Sequence, residues 1–142
     1  MNATHPLHAV IEAYNDAWNR HDVDAIVAMH TEDSVFRNHT SGGEAVGRAA
    51  IRRIVASVFD AFPDIHFTLR RLYVRDDLVV QEWTATATHR HPVTYNDTTL
   101  EPTSRTIRWD GMDIIPMRDG QVARKDVYAE SLSYLRQLGA PL

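Results

Sequence analysis

The chain has 142 residues, 44% hydrophobic and 24% charged, and no cysteine, so one ordinary domain accounts for its length and neither a disulfide framework nor a thiolate site is open to it. A formal net charge of −4 with His neutral, and Lys and Arg scattered rather than striped, argue against a nucleic-acid partner. The N-terminal MNATHPLHAV has no charged region followed by a long apolar core, and no run approaches the roughly 20 apolar residues of a membrane span; the expectation is a cytoplasmic protein with no membrane contact.

Leu7, Val10, Ile11, Tyr14 and Trp18 recur at three- and four-residue steps, which predicts an amphipathic helix over 7–20 with Tyr14 turned inward. Asp22 is placed to cap a second short helix, on which Val23, Ile26, Val27 and His30 share a face. Ser34 to His39 alternates as a short strand, with Phe36 and Asn38 on one side and Val35 and Arg37 on the other. After the turn-like TSGGE, a third helix carries the stripe Ile51, Ile54, Val55, Val58, Phe59 and Phe62 and stops at Pro63.

The second half is strand-rich. IHFTLRRLYV, the turn RDD and LVVQEWTATATH read as a hairpin of long strands. A loop from about 90 to 104 follows, then a second hairpin, TIRWDGMDIIPM and QVARKDVYAE about the turn RDG. Ser131 to Leu138 reads as a short helix ended by Gly139. Helices first and long strands afterwards predict an α+β fold, with the helices on one face of a curved, mostly antiparallel sheet.

The segments AYNDAWNRHDVDAIVAMHTEDSVFRNH, GRAAIRRIV, FPDIHFTLRRLYVRDDLVVQEWTATATH and WDGMDIIPMRDGQVARKDVYAESLSYLRQLG, in this order and spacing, resemble the NTF2-like superfamily. Within it they are most similar to the SnoaL-like polyketide cyclases and the relatives of ketosteroid isomerase. The resemblance covers nearly the whole chain. It implies a single cone-shaped domain over 1–142, a deep apolar pocket, a homodimer, no cofactor and a small hydrophobic carbonyl-containing ligand. Enzymes and simple binders share this fold, so the fold does not settle function.

Carried over by the resemblance, Tyr14 falls where ketosteroid isomerases place the tyrosine that donates to the substrate oxyanion, and Asp113 of GMDII where they place a protonated aspartate. Their base carboxylate is replaced here by Asn38 of FRNHT, and an amide accepts no proton at neutral pH. Limonene-epoxide-hydrolase-like relatives need an Arg and a second Asp where this chain has Trp83 and Ala85, so epoxide hydrolysis ranks lower.

Strand parity places Val122, Arg124, Asp126 and Tyr128 on one face of the last strand. If that face is the pocket, Asp126 is its general acid/base, with a pKa raised by burial. His30 and His39 are the other groups able to move protons near neutral pH. Trp18, Phe36, Phe59, Phe62, Trp83 and Trp109, with Tyr128, supply aromatic surface for a flat ligand. His89 and His91 lie on one side of a strand, but no third ligand stands at a recognisable spacing, so no metal is expected.

The expectation drawn from these residues is acid/base chemistry on a carbonyl compound, an aldol cyclisation or a double-bond shift. In it Tyr14 and Asp113 polarise the carbonyl, Asp126 and His30 move the proton, and Asn38 orients the substrate. A non-catalytic small-molecule binder and an accessory dimerisation module, using the T-A-T-A-T stretch 84–88 on the outer sheet face, stay open as alternatives.

Overall fold

The computed structural model describes residues 4–142. Its elements are α1 (Leu7–Asn19), α2 (Val23–Ala28), β1 (His30–Asn38), β2 (Gly43–Val46), α3 (Arg48–Ala61), β3 (His66–Arg75), β4 (Leu78–Thr88), β5 (Val93–Tyr95), β6 (Thr98–Leu100), β7 (Thr106–Arg118), β8 (Gln121–Ala129) and α4 (Ser131–Gln137).

Local chemistry sets the boundaries. The Asp22 carboxylate accepts from the Ala25 N–H at 3.0 Å and so caps α2. α3 ends at Phe62, whose extended ψ of 78° is what a following Pro63 requires. The β7–β8 hairpin closes over Asp119 and Gly120, at φ 52° and 75°, the two left-handed residues of a tight hairpin turn.

Six strands form one sheet in the order β2-β1-β8-β7-β4-β3, and all pairs are antiparallel except β1–β8. α1 packs against α2 and β3, α3 against α2, β1 and β2, and α4 against β7. Ile11, Ile26, Ile51, Val55, Val79, Ile115 and Val122 are buried between the helices and the sheet. The result is the α+β fold expected from the order of elements, in the cone shape that the resemblance implies.

Three details differ from the sequence reading. His30 does not share the helical face of Ile26 and Val27 but opens β1, because the cap at Met29 ends α2 after six residues. TSGGE leads into the short strand β2, which pairs with β1 through Phe36 and Ala45. The 90–104 segment holds a separate two-stranded hairpin, β5–β6. Within 84–88, Ala85 and Ala87 face the core and are buried, while Thr84 is tied to Asp110 and Arg70. No helix among the described residues is long and apolar enough to cross a membrane.

Candidate functional site

A cavity of about 600 Å³ lies between the helices and the inner face of the sheet. Its wall is largely aromatic. Trp18, Phe36, Phe67 and Trp83 form one cluster, with Trp18 6.3 Å from Phe36 and 5.9 Å from Phe67, and Phe67 5.2 Å from Trp83. Phe62, Trp109 and Tyr134 form a second, at 5.6 and 4.8 Å centroid spacing. Burial pushes the Tyr134 phenol up to about 12, so it stays protonated at all ordinary pH. Val93, Thr94 and Tyr95 of the small hairpin complete part of the lining. Gly111 is required here because the Trp83 indole ring occupies the space that a Cβ would fill.

Into this apolar wall the fold sets one charged pair. Lys125 on β8 and Asp113 on β7 both line the cavity and are 6% and 2% exposed. Lys125 Nζ stands 3.8 Å from Asp113 Oδ2, and over the rings of Trp18, Tyr14 and Phe36 at 4.4, 5.0 and 5.4 Å. Aromatic faces attract a cation without competing for its N–H donors.

Asp113 is held from the other side. Gln81 Nε2 donates to Asp113 Oδ2 at 2.8 Å, and Gln81 is itself clasped by Asn15 of α1 through bonds of 2.8 and 3.1 Å. Asp113 Oδ1 is buried without a hydrogen-bond partner among the described residues, and so is Trp18 Nε1. An unpartnered buried carboxylate oxygen is costly, and such arrangements concentrate at functional sites.

Several expected site residues lie elsewhere. Asp126 is the main correction: it faces the outer side of the sheet, where Arg124 donates to its carboxylate twice, at 2.8 and 2.9 Å, and His39 meets it at 2.8 Å. Its pKa is lowered rather than raised, by the Arg124 bonds first and by His39 as well. The cause is a bulge. Ile114 pairs with Asp126 but Met117 pairs with Val122, so β8 carries one extra residue and its inward phase switches from Val122 to Lys125 and Val127. Tyr128 goes outward with Asp126 and stacks on His39 at 4.0 Å.

Tyr14 and His30 are buried but do not line the cavity. The Tyr14 hydroxyl is hydrogen-bonded to His30 Nε2 at 2.9 Å, and His30 Nδ1 to Ser34 Oγ at 2.9 Å. Burial, with the charges of Lys125 and Arg48 behind it, lowers the His30 pKa to about 3, so the ring is neutral near pH 7 and is no proton carrier there. Burial raises the Tyr14 pKa, and Lys125 offsets only part of that. Phe59 stacks on His21 at 4.3 Å and reaches the cavity only through Trp18.

Asn38, Trp18, Phe36, Phe62, Trp83, Trp109 and Asp113 do line the cavity. Asn38 Oδ1 accepts from the Thr40 and Ser41 N–H groups at 2.9 and 3.3 Å, which commits its carbonyl to the turn after β1. His89 and His91 part company: His89 is buried with Nδ1 accepting from the Thr103 N–H at 3.2 Å, while His91 is exposed. Among the described residues no three His, Cys, Asp or Glu side chains are grouped to hold a metal ion.

Lys125, Gln81 and Asn15 were not singled out by the sequence reading. Gln81 carried a signal, since an uncharged polar residue inside LVVQEWTATAT asks for a buried partner. Lys125 carried none, because the bulge that turns it inward leaves no mark on the sequence.

The fold has counterparts among solved structures. A protein named as a SnoaL-like polyketide cyclase from Jannaschia sp. CCS1 is 17% identical, with a TM-score of 0.82 over 100% of both chains. IdmH from Streptomyces antibioticus, named as a polyketide cyclase, is 21% identical with a TM-score of 0.78, over 96% of this chain and 100% of that one. A ketosteroid isomerase-like fold protein from Catenulispora acidiphila, in complex with trimethylamine, is 20% identical with a TM-score of 0.78, over 97% and 96%. At these identities the likeness establishes the fold. No curated protein matches the sequence. The SnoaL-like domain matches residues 11–125, most of the chain, and the chain therefore belongs to the SnoaL-like domain family.

Proposed function

We propose that this chain binds a small, flat, carbonyl-bearing molecule in the cavity and carries out acid/base chemistry on it without a cofactor, either an aldol cyclisation or a double-bond shift. The observation that carries the reading is Asp113. It is a carboxylate set into an aromatic wall, oriented by Gln81 and Asn15, with one oxygen left unpartnered. Such a group suits proton transfer, because it stands in the cavity wall and the amide clasp fixes its position.

In this reading Asp113 removes a proton from the carbon next to the ligand carbonyl. The C–H electron pair becomes the enolate. In a β,γ-unsaturated ketone the proton is then returned at the γ-carbon, which shifts the double bond; alternatively the enolate carbon attacks a second carbonyl of the same molecule, which closes a ring, and the resulting alkoxide takes the proton back from Asp113. Trp18, Phe36, Trp83 and Trp109 hold the flat framework, and the free amide NH2 of Asn38 gives the ligand a polar contact at the wall. Asp126, on the outer face, and the neutral His30 take no part. Two of the structurally similar proteins are named as polyketide cyclases, which favours the cyclisation branch.

Hydrogen–deuterium exchange at the α-carbon of an enolisable bicyclic ketone, followed by NMR, tests this. The native protein is expected to accelerate exchange over buffer, and Asp113→Asn to lose about a hundredfold or more of that acceleration. A folded Asp113→Asn variant that exchanges as fast as the native protein would sink the assignment.

A second reading is a binder that performs no chemistry. The observation favouring it is Asn38, whose carbonyl is committed to a turn and which the resemblance sets where isomerases carry their base. Tight binding of the ketone with no exchange above buffer would select that reading.

A further inference from the structure

The cavity's charged pair is asymmetric. Asp113 has Gln81 as a direct donor at 2.8 Å, whereas the carboxylate facing Lys125 Nζ lies 3.8 Å away, beyond the roughly 2.7–2.9 Å of a direct charge-assisted bond. Around it stand the faces of Trp18, Tyr14 and Phe36, which hold a cation in place but accept little hydrogen bonding, and the Tyr14 hydroxyl, whose burial-raised pKa the ammonium partly lowers but whose close hydrogen bond is to His30. Lys125 is thus a buried cation on the cavity wall whose donors the described residues do not saturate. Such a group is stabilised by an anionic oxygen that the cavity's occupant supplies.

We infer that Lys125 is the oxyanion-binding group of this cavity and that it selects ligands whose oxygen is, or becomes, an enolate or phenolate. The inference rests on the carbonyl reading above and names the chemistry that reading leaves open. When Asp113 takes the α-proton, its negative charge disappears and an equal charge arises on the ligand oxygen. Lys125 faces both positions, so the buried site keeps the same net charge throughout and only the location of the negative charge changes. That balance lowers the barrier, because no uncompensated charge is created in an apolar wall. A stable molecule already carrying an acidic enol resembles the product of that transfer, and its anion competes with ionised Asp113 for the ammonium.

The prediction is one of opposite signs for the two members of the pair. The probes are 2-hydroxy-1,4-naphthoquinone, an acidic enol, and its methyl ether 2-methoxy-1,4-naphthoquinone, which has the same framework and no ionisable proton. Binding is read by quenching of tryptophan fluorescence and by calorimetry at pH 7. The native protein is expected to prefer the enolic quinone over the ether. Asp113→Asn, which removes the competing charge, tightens the enolic quinone. Adding Lys125→Met to that variant weakens it by more than about tenfold while leaving the ether nearly unchanged. Far-UV circular dichroism and the binding of the ether check that each variant is folded, since Asp113→Asn leaves the buried Lys125 ammonium without its carboxylate whereas the double variant carries neither charge.

Equal binding of the two quinones by the native protein overturns the inference, as does a double variant that binds the enolic quinone as well as Asp113→Asn does. Weakening by Asp113→Asn as large as that caused by loss of Lys125 also overturns it, because a merely structural ion pair behaves in that way. The two proposals fail separately. Absence of α-carbon exchange with the enolic preference intact overturns the catalytic reading and supports this one; exchange without the preference does the reverse.

Discussion

Lys125 and Asp126 are neighbours in sequence and face opposite sides of the same strand, and the sheet treats their charges in opposite ways. Asp126 meets two partners at full hydrogen-bond contact, Arg124 and His39, on a face that water still reaches. Lys125 meets one carboxylate at 3.8 Å and three aromatic rings, in a wall that leaves it 6% exposed. The outer charge is therefore satisfied by the protein, and the inner one is held ready. Burial without full pairing costs stability, which makes the inner pair, and not the outer cluster, the candidate for the proposed chemistry.

The sharpest test of this contrast removes the inner cation. Lys125→Met leaves Asp113 as a buried acid with only Gln81 beside it, and this is expected to cost roughly 3–5 kcal/mol of folding stability. Lys125→Met combined with Asp113→Asn should recover much of that loss, because no uncompensated charge remains. Urea unfolding at pH 7 of the native, single and double variants measures both numbers. A single variant that loses less than 1 kcal/mol, taken here as roughly the ceiling for an exposed pair, would mean that the pair is solvated like Asp126 and would break the comparison.

The core behind the cavity makes a second prediction, through pH. An unfolded histidine binds a proton near 6.5, whereas His30 in the fold does so only at about 3, mainly because it is buried. The folded state therefore binds fewer protons than the unfolded one between these values. Stability is fully present above 6.5 and falls as the pH drops below it, with a slope approaching about 1.4 kcal/mol per pH unit. Unfolding midpoints measured from pH 7 to 5, before most carboxylates titrate, should show this slope in the native protein and lose most of it in His30→Gln. The slope rather than the absolute stability is the reading, since the substitution also disturbs the bonds to Tyr14 and Ser34.

Much of this arrangement was legible in the sequence wherever a local rule applied. The stripe from Leu7 to Trp18, the Asp22 cap, the Pro63 stop and the RDG turn each state their own geometry, and the structure follows them. The short strands β2 and β5–β6 escaped because three or four residues show no periodicity. At the cavity, Phe36 lies on the regular alternation of β1, whereas Asp113 is pointed to only by the resemblance; both line the wall. Asp126 and Lys125 exchanged places because one extra residue in β8 inverts the phase after Val122. Tyr14 and His30 were both marked as functional. Their bond to each other joins residues 16 apart, and only the packing of α1 against the start of β1 reveals that they satisfy one another.

The smallest expected effect belongs to the outer cluster and completes the comparison. Arg124 and His39 hold the Asp126 carboxyl below the usual carboxylate range. Its interactions therefore stabilise the fold at pH values above the unfolded carboxyl's ordinary 3.8, and the contribution is lost as pH falls through the lower folded value. Asp126→Asn should cost about 1 kcal/mol at pH 7, a difference that shrinks toward zero once the pH is well below that ordinary value. Because the side chain lies on the face away from the cavity, α-carbon exchange and quinone binding should be unchanged in the same variant. Urea unfolding at pH 7 and pH 2, run beside the exchange assay at pH 7, separates the two. A loss of exchange with stability intact would return Asp126 to the chemistry and assign the outer face a role that its hydrogen bonds do not predict.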